Sequence, residues 1–274
     1  MVAPRIHIAH ALSAGLAFDL PEGAARHVQV LRLQPGAELA LFDGQGGQWR
    51  AEILIMGRKQ VSVRLASFAA TECELITPVT LALGMPANER MDGLVEKATE
   101  LGVAAIQPLV CERSVLRLTG ERAQRKTAHW QAVAVAACEQ SGRNRVPQIA
   151  PPLSFSDWLA ALLRPGDTAA AAATAATAAT AATTARRWLL SLSPQAQPLA
   201  RRLSGLTSPG AAEGLTLLSG PEGGLSPAEI AGAEGAGFSA VSLGPRVLRA
   251  DTAPLAALAC VAASQACGVE GVLA

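Results

Sequence analysis

The pattern of hydrophobic and polar positions changes near residue 75. Before it, short runs alternate with a period of two, as in Val61-Ser-Val-Arg-Leu65 and, more loosely, Ala51-Glu-Ile-Leu-Ile55. Such alternation is typical of half-buried β-strands, and the turn cluster Asp43-Gly-Gln-Gly-Gly47 separates two further runs. Several short strands at this spacing predict a small β-barrel domain over residues 1–72. His27 is expected to pack against one of its strands.

From about residue 78 the pattern predicts strands that alternate with helices, which is typical of a parallel α/β sheet. Val79-Thr-Leu-Ala-Leu-Gly84 is a buried-strand run, and the next helix is expected to begin at the N-cap Asn88 and to stop before Gly102. Ser226-Pro-Ala-Glu229 predicts a helix start, because it combines a capping box with Pro at the first helical position. Further predicted strands cover residues 104–110, 188–192, 215–218 and 240–243, and further helices cover residues 121–141 and 252–266. These elements predict an α/β domain over residues 76–274.

Residues 167–186 interrupt this pattern. Four copies of Ala-Ala-Thr occupy residues 172–183, and a period of three fits neither a helix nor a strand. The segment offers no bulky apolar side chain to bury. We therefore expect a low-complexity surface insertion that takes no part in chemistry.

Composition excludes several classes of protein. Hydrophobic residues make up 50% of the 274 positions and charged residues 16%, which excludes a disordered chain. No run approaches the ~18 consecutive apolar residues of a membrane span, and Met1-Val-Ala-Pro-Arg5 has no signal-peptide pattern. The five cysteines form no Cys-x-x-Cys pair, so neither a disulfide framework nor a metal site is expected. The reduced cytoplasm is the expected location.

Positive charge is concentrated in one stretch, although the formal net charge is only +1. Between Arg113 and Arg145, seven basic residues stand against Glu121 and Glu139. Guanidinium groups suit bidentate contacts with phosphate, so the stretch is a candidate nucleic-acid surface. A solvated helix face explains the same charges equally well, and charge alone leaves both interpretations open.

Two glycine-containing loops each follow a predicted strand and precede a predicted helix. They are Leu218-Ser-Gly-Pro-Glu-Gly-Gly-Leu-Ser226 and Leu243-Gly-Pro-Arg-Val-Leu-Arg249. Each loop alone is more typical of a connecting turn. Two of them at equivalent strand ends favour a shared ligand pocket, because ligands bind at the carboxyl edge of parallel sheets.

These loops resemble the S-adenosylmethionine site of the SPOUT methyltransferases, and further motifs resemble the bacterial 16S ribosomal RNA uracil-N3 methyltransferase family. The motifs lie in order over roughly residues 5–265. They are His27-Val-Gln-Val-Leu-Arg-Leu33 with Leu41-Phe-Asp-Gly44, Glu96-Lys-Ala-Thr-Glu-Leu-Gly-Val103, Glu112-Arg-Ser114, Ala137-Cys-Glu-Gln-Ser-Gly-Arg-Asn-Arg-Val-Pro147, and the two glycine loops.

The resemblance implies an N-terminal PUA-like barrel that binds RNA and a C-terminal SPOUT α/β domain with a deep trefoil knot. It also implies a homodimer that acts on 16S rRNA of the small ribosomal subunit with S-adenosylmethionine as cofactor and without a metal. The cofactor-binding residues that it implies are Leu190, Leu192, Leu218, Ser219, Gly220, Pro221, Glu222, Gly223, Gly224, Leu243, Gly244, Val247, Leu248 and Thr252. The arginines expected to contact RNA are Arg5, Arg26, Arg32, Arg113, Arg143 and Arg145.

Methylation at uracil N3 requires loss of the imide proton, and two residues are candidates for catalysis. Arg249 is permanently charged, so we expect it to stabilise negative charge that develops on the uracil carbonyls. Glu222 is expected either to accept the proton or to orient the glycine loop through backbone hydrogen bonds.

Two other functions stay open at this point. One is a SPOUT ribose 2′-O-methyltransferase, which the pair of glycine loops together with the barrel argues against. The other is a non-catalytic RNA-binding assembly factor, which the intact loops and Arg249 argue against.

Overall fold

The computed structural model describes residues 3–58, 60–87, 90–164, 186–206 and 214–266. Its contacts divide the chain into two compact units. The first comprises Met1–Glu74 and Val135–Val146, and the second comprises Leu75–Ala134 and Pro147–Ala274. The sequence prediction assigned residues 135–146 to the second domain. The predicted insertion at residues 167–186 and the predicted N-cap Asn88 lie outside the described residues, apart from Arg186.

The first unit is built on a five-stranded sheet. Its strands are β1 (Arg5–His7), β2 (Ala17–Asp19), β3 (Glu38–Phe42), β4 (Gln48–Met56) and β5 (Val61–Ala69), in the spatial order β1-β3-β4-β5-β2. Every neighbouring pair is antiparallel except β1 and β3. Alternate residues of β5, namely Val61, Val63 and Leu65, enter the core of this unit, as the period of two predicted.

A helix in this unit was missed by the sequence prediction. Residues Glu22–Val30 form α1, whose buried residues Ala25 and Val28 are three positions apart and therefore lie on one face. His27 is exposed on this helix, so the expectation that it packs against a strand was wrong. Arg26 is exposed on the same helix.

The second unit contains a parallel sheet with helices between its strands. Its elements are β6 (Val79–Gly84), α2 (Arg90–Glu100), β7 (Ala105–Val110), α3 (Gly120–Ser141, which ends in the first unit), β8 (Gln148–Ile149), β9 (Leu153–Ser154), α4 (Phe155–Leu163), β10 (Arg186–Leu190), β11 (Gln197–Pro198), α5 (Leu199–Leu203), β12 (Leu215–Ser219), α6 (Pro227–Gly235), β13 (Ser239–Ser242) and α7 (Thr252–Ala266). The strand order is β11-β13-β10-β12-β6-β7-β8, with β9 also paired to β7. All these pairs are parallel.

Local signals in the sequence correspond to the ends of these helices. The Ser226 hydroxyl accepts a hydrogen bond from Glu229 N while the Glu229 carboxylate accepts one from Ser226 N, so the predicted capping box is confirmed. Gly102 ends α2 with a φ of +92°, a conformation that favours glycine. Among the described residues, no helix has the length and apolar character to cross a membrane.

Strand β13 lies between β10 and β11, although these two are connected directly by residues 191–196. The chain therefore returns, after β12 and α6, to a place between two strands that the earlier chain had already linked. This arrangement is consistent with the trefoil knot of a SPOUT domain. It also brings the carboxyl ends of β10, β12 and β13 to one edge of the sheet, since all three strands are parallel.

Candidate active site

A cavity of about 530 Å³ opens at the carboxyl ends of β10, β12 and β13. Three loops enclose it, and they follow these three strands directly. The predicted cofactor residues that line it are Leu190, Leu192, Ser219, Gly220, Pro221, Glu222, Gly224, Leu243, Gly244, Val247 and Leu248. Arg249, predicted to be catalytic, also lines it. The structure thus brings together residues that are up to about sixty positions apart in the sequence.

Three predicted cofactor residues are not in the wall of this cavity. Leu218 has no exposed surface and packs in the core below the sheet edge. Gly223 faces Arg113, because a Cβ built on it would lie 2.9 Å from Arg113 Cβ. Thr252 begins α7, and its backbone N–H donates to the carbonyl oxygen of Arg249 at 3.0 Å.

Two glycines of the loops adopt backbone conformations that other residues rarely take. Gly224 has a φ of +70° and Gly244 a φ of +105°, in the region where a Cβ causes strain. A Cβ built on either would meet nothing within 4 Å. Conformation, not space, therefore requires glycine at both positions.

The first glycine loop is held in place from two sides. On one side, Glu229 accepts a hydrogen bond from Glu112 N at 2.8 Å in addition to its role in the capping box. On the other side, Gly84 at the end of β6 lies directly against Pro221, since a Cβ on Gly84 would be 2.4 Å from Pro221 Cδ. These contacts fix the loop relative to the sheet before any ligand binds.

Glu222 makes contacts that hold one element to another. Its Oε1 accepts a hydrogen bond from the backbone N–H of Ala87 at 2.9 Å and lies 3.8 Å from Arg90 Nη1. Ala87 lies in the connection between β6 and α2. The carboxylate thereby links the glycine loop to that connection.

Arginines are prominent at the rim of the cavity. Arg90, Arg246 and Arg249 all line it, and the prediction named only Arg249. Arg246 and Arg249 are exposed, and neither forms an ion pair within the part of the chain that the structure describes. The sequence could have indicated Arg246, because it belongs to the second glycine motif. Arg90 lies at the start of α2, outside both glycine motifs.

Two of the arginines predicted to contact RNA bind other groups within the first unit. Arg143 is buried and forms an ion pair with Glu74, to which its Nε donates at 3.0 Å. Arg5 donates to the carbonyl oxygen of Arg143 at 2.9 Å, and its guanidinium lies over the Phe42 ring at 4.9 Å. Burial lowers the pKa of Arg5 from its ordinary value. The structure argues against phosphate contact by Arg143, because its guanidinium is buried and paired with Glu74. Arg5 is half-buried, and a carbonyl oxygen and an aromatic ring already engage its guanidinium.

The other four predicted RNA contacts have exposed side chains. In the first unit, Arg26 and Arg32 are exposed, and Arg145 is exposed beside Glu72 at 3.5 Å. In the second unit, exposed Arg113 donates to the carbonyl oxygen of Gly223 at 3.2 Å. Their guanidinium groups can therefore donate hydrogen bonds to the phosphates of a polyanion.

The cavity has the size and the lining of a site for a nucleoside-type cofactor. Its volume lies within the ~300–1,000 Å³ range of small-molecule sites. Its wall combines leucines and valines with glycine backbone, and such loops offer N–H and C=O groups at close range. Among the described residues, no group of three or more His, Cys, Asp or Glu is placed to hold a metal.

Comparisons with known proteins agree with this geometry. A model described as RNA methyltransferase domain matches residues 73–262, which is more than half of the chain. The chain belongs to the RNA methyltransferase family. A second model, described as RNA methyltransferase PUA domain, matches residues 20–66 of this methyltransferase. The family and the SPOUT-type α/β fold with an N-terminal PUA domain, both predicted from the sequence, are confirmed.

Relatives extend over most of the chain. The Ribosomal RNA small subunit methyltransferase E of Synechocystis is 34% identical to this methyltransferase over 231 residues, covering 84% of this chain and 67% of the relative. The solved structure of the same-named protein from Neisseria gonorrhoeae, bound to S-adenosyl methionine, has a TM-score of 0.79 and 32% identity and covers 94% of this chain and 96% of that chain. A Legionella pneumophila protein in complex with the same cofactor has a TM-score of 0.80 and 30% identity, with 96% and 98% covered.

Proposed function

We propose that this methyltransferase transfers a methyl group from S-adenosylmethionine to N3 of a uridine in small-subunit ribosomal RNA. The observation that carries the proposal is the glycine-lined cavity at the carboxyl edge of the sheet, with Arg249 at its rim. Relatives named Ribosomal RNA small subunit methyltransferase E support the substrate. The solved relatives that hold S-adenosylmethionine support the cofactor.

The chain's own residues have three tasks in this reaction. S-adenosylmethionine, when bound, supplies a methyl group already activated by its sulfonium centre. The loops that contain Gly220, Gly224 and Gly244 bind and orient it, and orientation is a large part of catalysis in such a transfer. The apolar wall, which includes Leu190 and Leu243, excludes water.

The third task is to favour the imide anion of uracil, which forms when N3 releases its proton to solvent and which is the nucleophile. Negative charge then develops on the carbonyl oxygens that flank N3. Arg249 carries a permanent positive charge in a rigid fork of donors, and no carboxylate among the described residues neutralises it. A donor placed at developing charge stabilises the transition state more than the ground state.

For Glu222 we propose a positioning role, since its Oε1 already accepts from Ala87 N and faces Arg90. Glu222→Gln keeps an acceptor for the Ala87 N–H but cannot take up a proton. We therefore expect the turnover of Glu222→Gln to stay within a few-fold of wild type, with an unchanged pH–rate profile. A general base would instead lose ~10²–10⁴ in rate, and that outcome would reassign the proton to Glu222.

For the RNA we propose contacts with Arg26, Arg32, Arg113 and Arg145, whose side chains are exposed. Such contacts neutralise phosphates and make affinity fall with salt. We propose a PUA-like RNA-binding domain over residues 1–72 and a SPOUT catalytic domain over residues 76–274. An enzyme that acts on ribosomal RNA works where the small subunit is assembled, so we also propose a cytoplasmic location.

We further propose a homodimer that forms through α7. This helix contains no charged residue, yet Cys260 is exposed and Ala256 and Ala259 are only partly buried. Helices with apolar residues on every side are normally buried, and a second copy of the chain would cover this face. Cys260→Arg should shift the sedimentation coefficient to that of a monomer, whereas Ala128→Arg at an exposed position of α3 should not. An unchanged coefficient in both variants would exclude α7 as the interface.

The experiment that tests the function compares two arginines of one loop. Arg249→Ala should lower single-turnover methylation by ~10²–10³, the usual loss for one preorganised donor, with little change in cofactor affinity. Arg246→Ala, at the same rim, is the matched control and should change turnover much less. Raising the pH should partly restore the rate of Arg249→Ala, because more of the imide is then deprotonated in solution. Equal rates and pH profiles for wild type and Arg249→Ala would make Arg249 structural.

The same assays separate the alternative functions. Mass spectrometry of nucleosides from methylated RNA distinguishes a base methylated at N3 from a ribose methylated at the 2′-oxygen. Calorimetric titration with S-adenosylmethionine distinguishes both from a non-catalytic assembly factor, which need not bind the cofactor.

A further inference from the structure

A second cavity, of about 470 Å³, lies at the opposite edge of the parallel sheet, where the strands begin. Arg186 and Arg187 at the start of β10 contribute to its wall, together with Arg201 and Arg202 of α5 and Ser239 at the start of β13. β10 rises ~3.3 Å per residue, so roughly 13 Å separates Arg186 from Leu190 in the first cavity. The two cavities are therefore separate.

The wall of this cavity is strongly positive. Four of its lining residues are arginines, and no Asp or Glu is found among the described residues that line it. The electrostatics of α5 account for part of this arrangement, because Arg201 and Arg202 lie in its last turn, where the helix dipole favours cations. Arg187 is also accounted for, since its Nη1 donates to the carbonyl oxygen of Ala236 at 2.7 Å.

Two buried donors of these arginines are not explained by contacts among the described residues. Nη1 of Arg186 and Nε of Arg202 are shielded from solvent and have no hydrogen-bond partner among the described residues. Buried donors are normally satisfied, and an unmet buried donor calls for an explanation such as a bound ion or ligand. A bound ligand with several acceptor oxygens is one such explanation.

We propose that this cavity binds a phosphate group of the RNA substrate, at a nucleotide other than the one that is methylated. Phosphate is the favoured ligand because its oxygens match the planar donor fork of arginine and its charge balances several guanidinium groups. That the phosphate belongs to RNA rests on the proposed function. The cavity acts as a remote anchor: it binds the strand and leaves the cofactor site untouched.

The test replaces charge in this wall and measures RNA binding as a function of salt. Arg201→Gln/Arg202→Gln removes two charges but keeps good helix formers in α5. With a transcript of small-subunit ribosomal RNA as probe, we expect at least a ten-fold weaker affinity at low salt and a higher KM for RNA. The slope of log K against log salt should shrink by about 0.7 for each phosphate of a single strand that the protein no longer neutralises. The Kd for S-adenosylmethionine should stay as in wild type.

Two further variants guard against misfolding and general charge effects. Ser239→Asp keeps every arginine but adds a carboxylate to the wall, and it should weaken RNA binding in the same way. Arg164→Gln removes an exposed arginine at the end of α4 that lines neither cavity, and it should leave the affinity and the salt slope close to wild type. Thermal melting of each variant verifies the fold.

The outcomes separate this proposal from the proposed function. Wild-type RNA affinity and salt slope in both Arg201→Gln/Arg202→Gln and Ser239→Asp would overturn the anchor. Titration with inorganic pyrophosphate tests whether the cavity binds a free phosphate compound instead of the RNA. If these variants lose pyrophosphate binding but keep RNA binding, the RNA anchor is also overturned. Failure of the wild-type enzyme to bind S-adenosylmethionine or to methylate the transcript would instead refute the proposed function.

Discussion

Replacing Gly84 with alanine should damage the proposed cofactor site, although Gly84 itself does not line it. Gly84 is the last residue of β6, the strand next to β12. A Cβ at this position would lie 2.4 Å from both Cδ and N of Pro221 and 2.9 Å from the carbonyl carbon of Gly220. Both of those residues belong to the first glycine loop and line the cavity.

The size of the effect follows from these distances. Ordinary van der Waals contacts of a Cβ begin near 3.4 Å, so the loop has to move by about 1 Å. Overpacking of this kind costs ~1–3 kcal/mol of stability. Misplacing a reacting group by ~1 Å costs about 10² in rate. We therefore expect Gly84→Ala to fold, to melt a few degrees lower, and to lose about 10²-fold in methylation rate.

The matched control is Gly93→Ala on α2. Gly93 is exposed, and a Cβ there would meet nothing within 4 Å. The substitution should stabilise the enzyme by ~0.5–1 kcal/mol, because alanine loses less backbone entropy in a helix than glycine. Its cofactor affinity and turnover should match wild type.

The assays are calorimetric titration with S-adenosylmethionine, single-turnover methylation and thermal melting of the three proteins. A rate and cofactor affinity equal to wild type in Gly84→Ala, together with a lowered melting temperature, would refute the reasoning. That result would mean that the loop absorbs the displacement elsewhere and that the contact with Pro221 does not position the site.

Two further predictions concern stability. Arg143→Met leaves the Glu74 carboxylate unpaired and should lower the free energy of unfolding by ~3–5 kcal/mol in urea titrations. Arg145→Met breaks the half-exposed contact with Glu72 and should lower the free energy of unfolding by no more than ~1 kcal/mol, but it should weaken RNA binding. Equal free energies of unfolding for the two variants would contradict the structural role of Arg143. Hydrogen bonds from His129 and Trp130 outweigh the opposing effect of burial and lower the pKa of Asp92. A lowered folded-state pKa gives stability that is present at neutral pH and lost as the pH falls below about 4. Asp92→Asn should therefore flatten this part of the acid unfolding curve, and an unchanged curve would contradict it.

Features encoded by neighbouring residues were predictable from the sequence. The capping box at Ser226 and the stop at Gly102 depend on a few adjacent side chains, and the structure has both. The two glycine loops were placed at one sheet edge because parallel strands present their carboxyl ends together. Helix α1 was missed although Ala25 and Val28 carry a helical spacing, because the short strands around it dominated the interpretation.

Features that depend on distant contacts were not predictable. The place of β13 between β10 and β11 is a matter of strand order, which no local pattern specifies. Gly223 and Gly224 are adjacent residues of the same type, yet one packs against Arg113 and the other lines the cavity with a positive φ. Residue type alone does not distinguish the two roles.

The arginines show why net charge conceals what this chain does with charge. Arg143 and Arg5 were counted in the predicted RNA surface, but a carboxylate, a carbonyl and an aromatic ring already surround them. The count of basic residues between 113 and 145 therefore includes one arginine, Arg143, whose charge is already paired within the protein. At the cofactor cavity only Arg90, among the described residues of its rim, faces a carboxylate, and Arg246 and Arg249 keep their charge for whatever enters. An anionic substrate is attracted to such a rim, and the apolar wall behind it lowers the dielectric and strengthens each remaining interaction with charge. The positive charge available to an anionic substrate therefore depends on which arginines lack an acidic partner, and not on how many the chain contains.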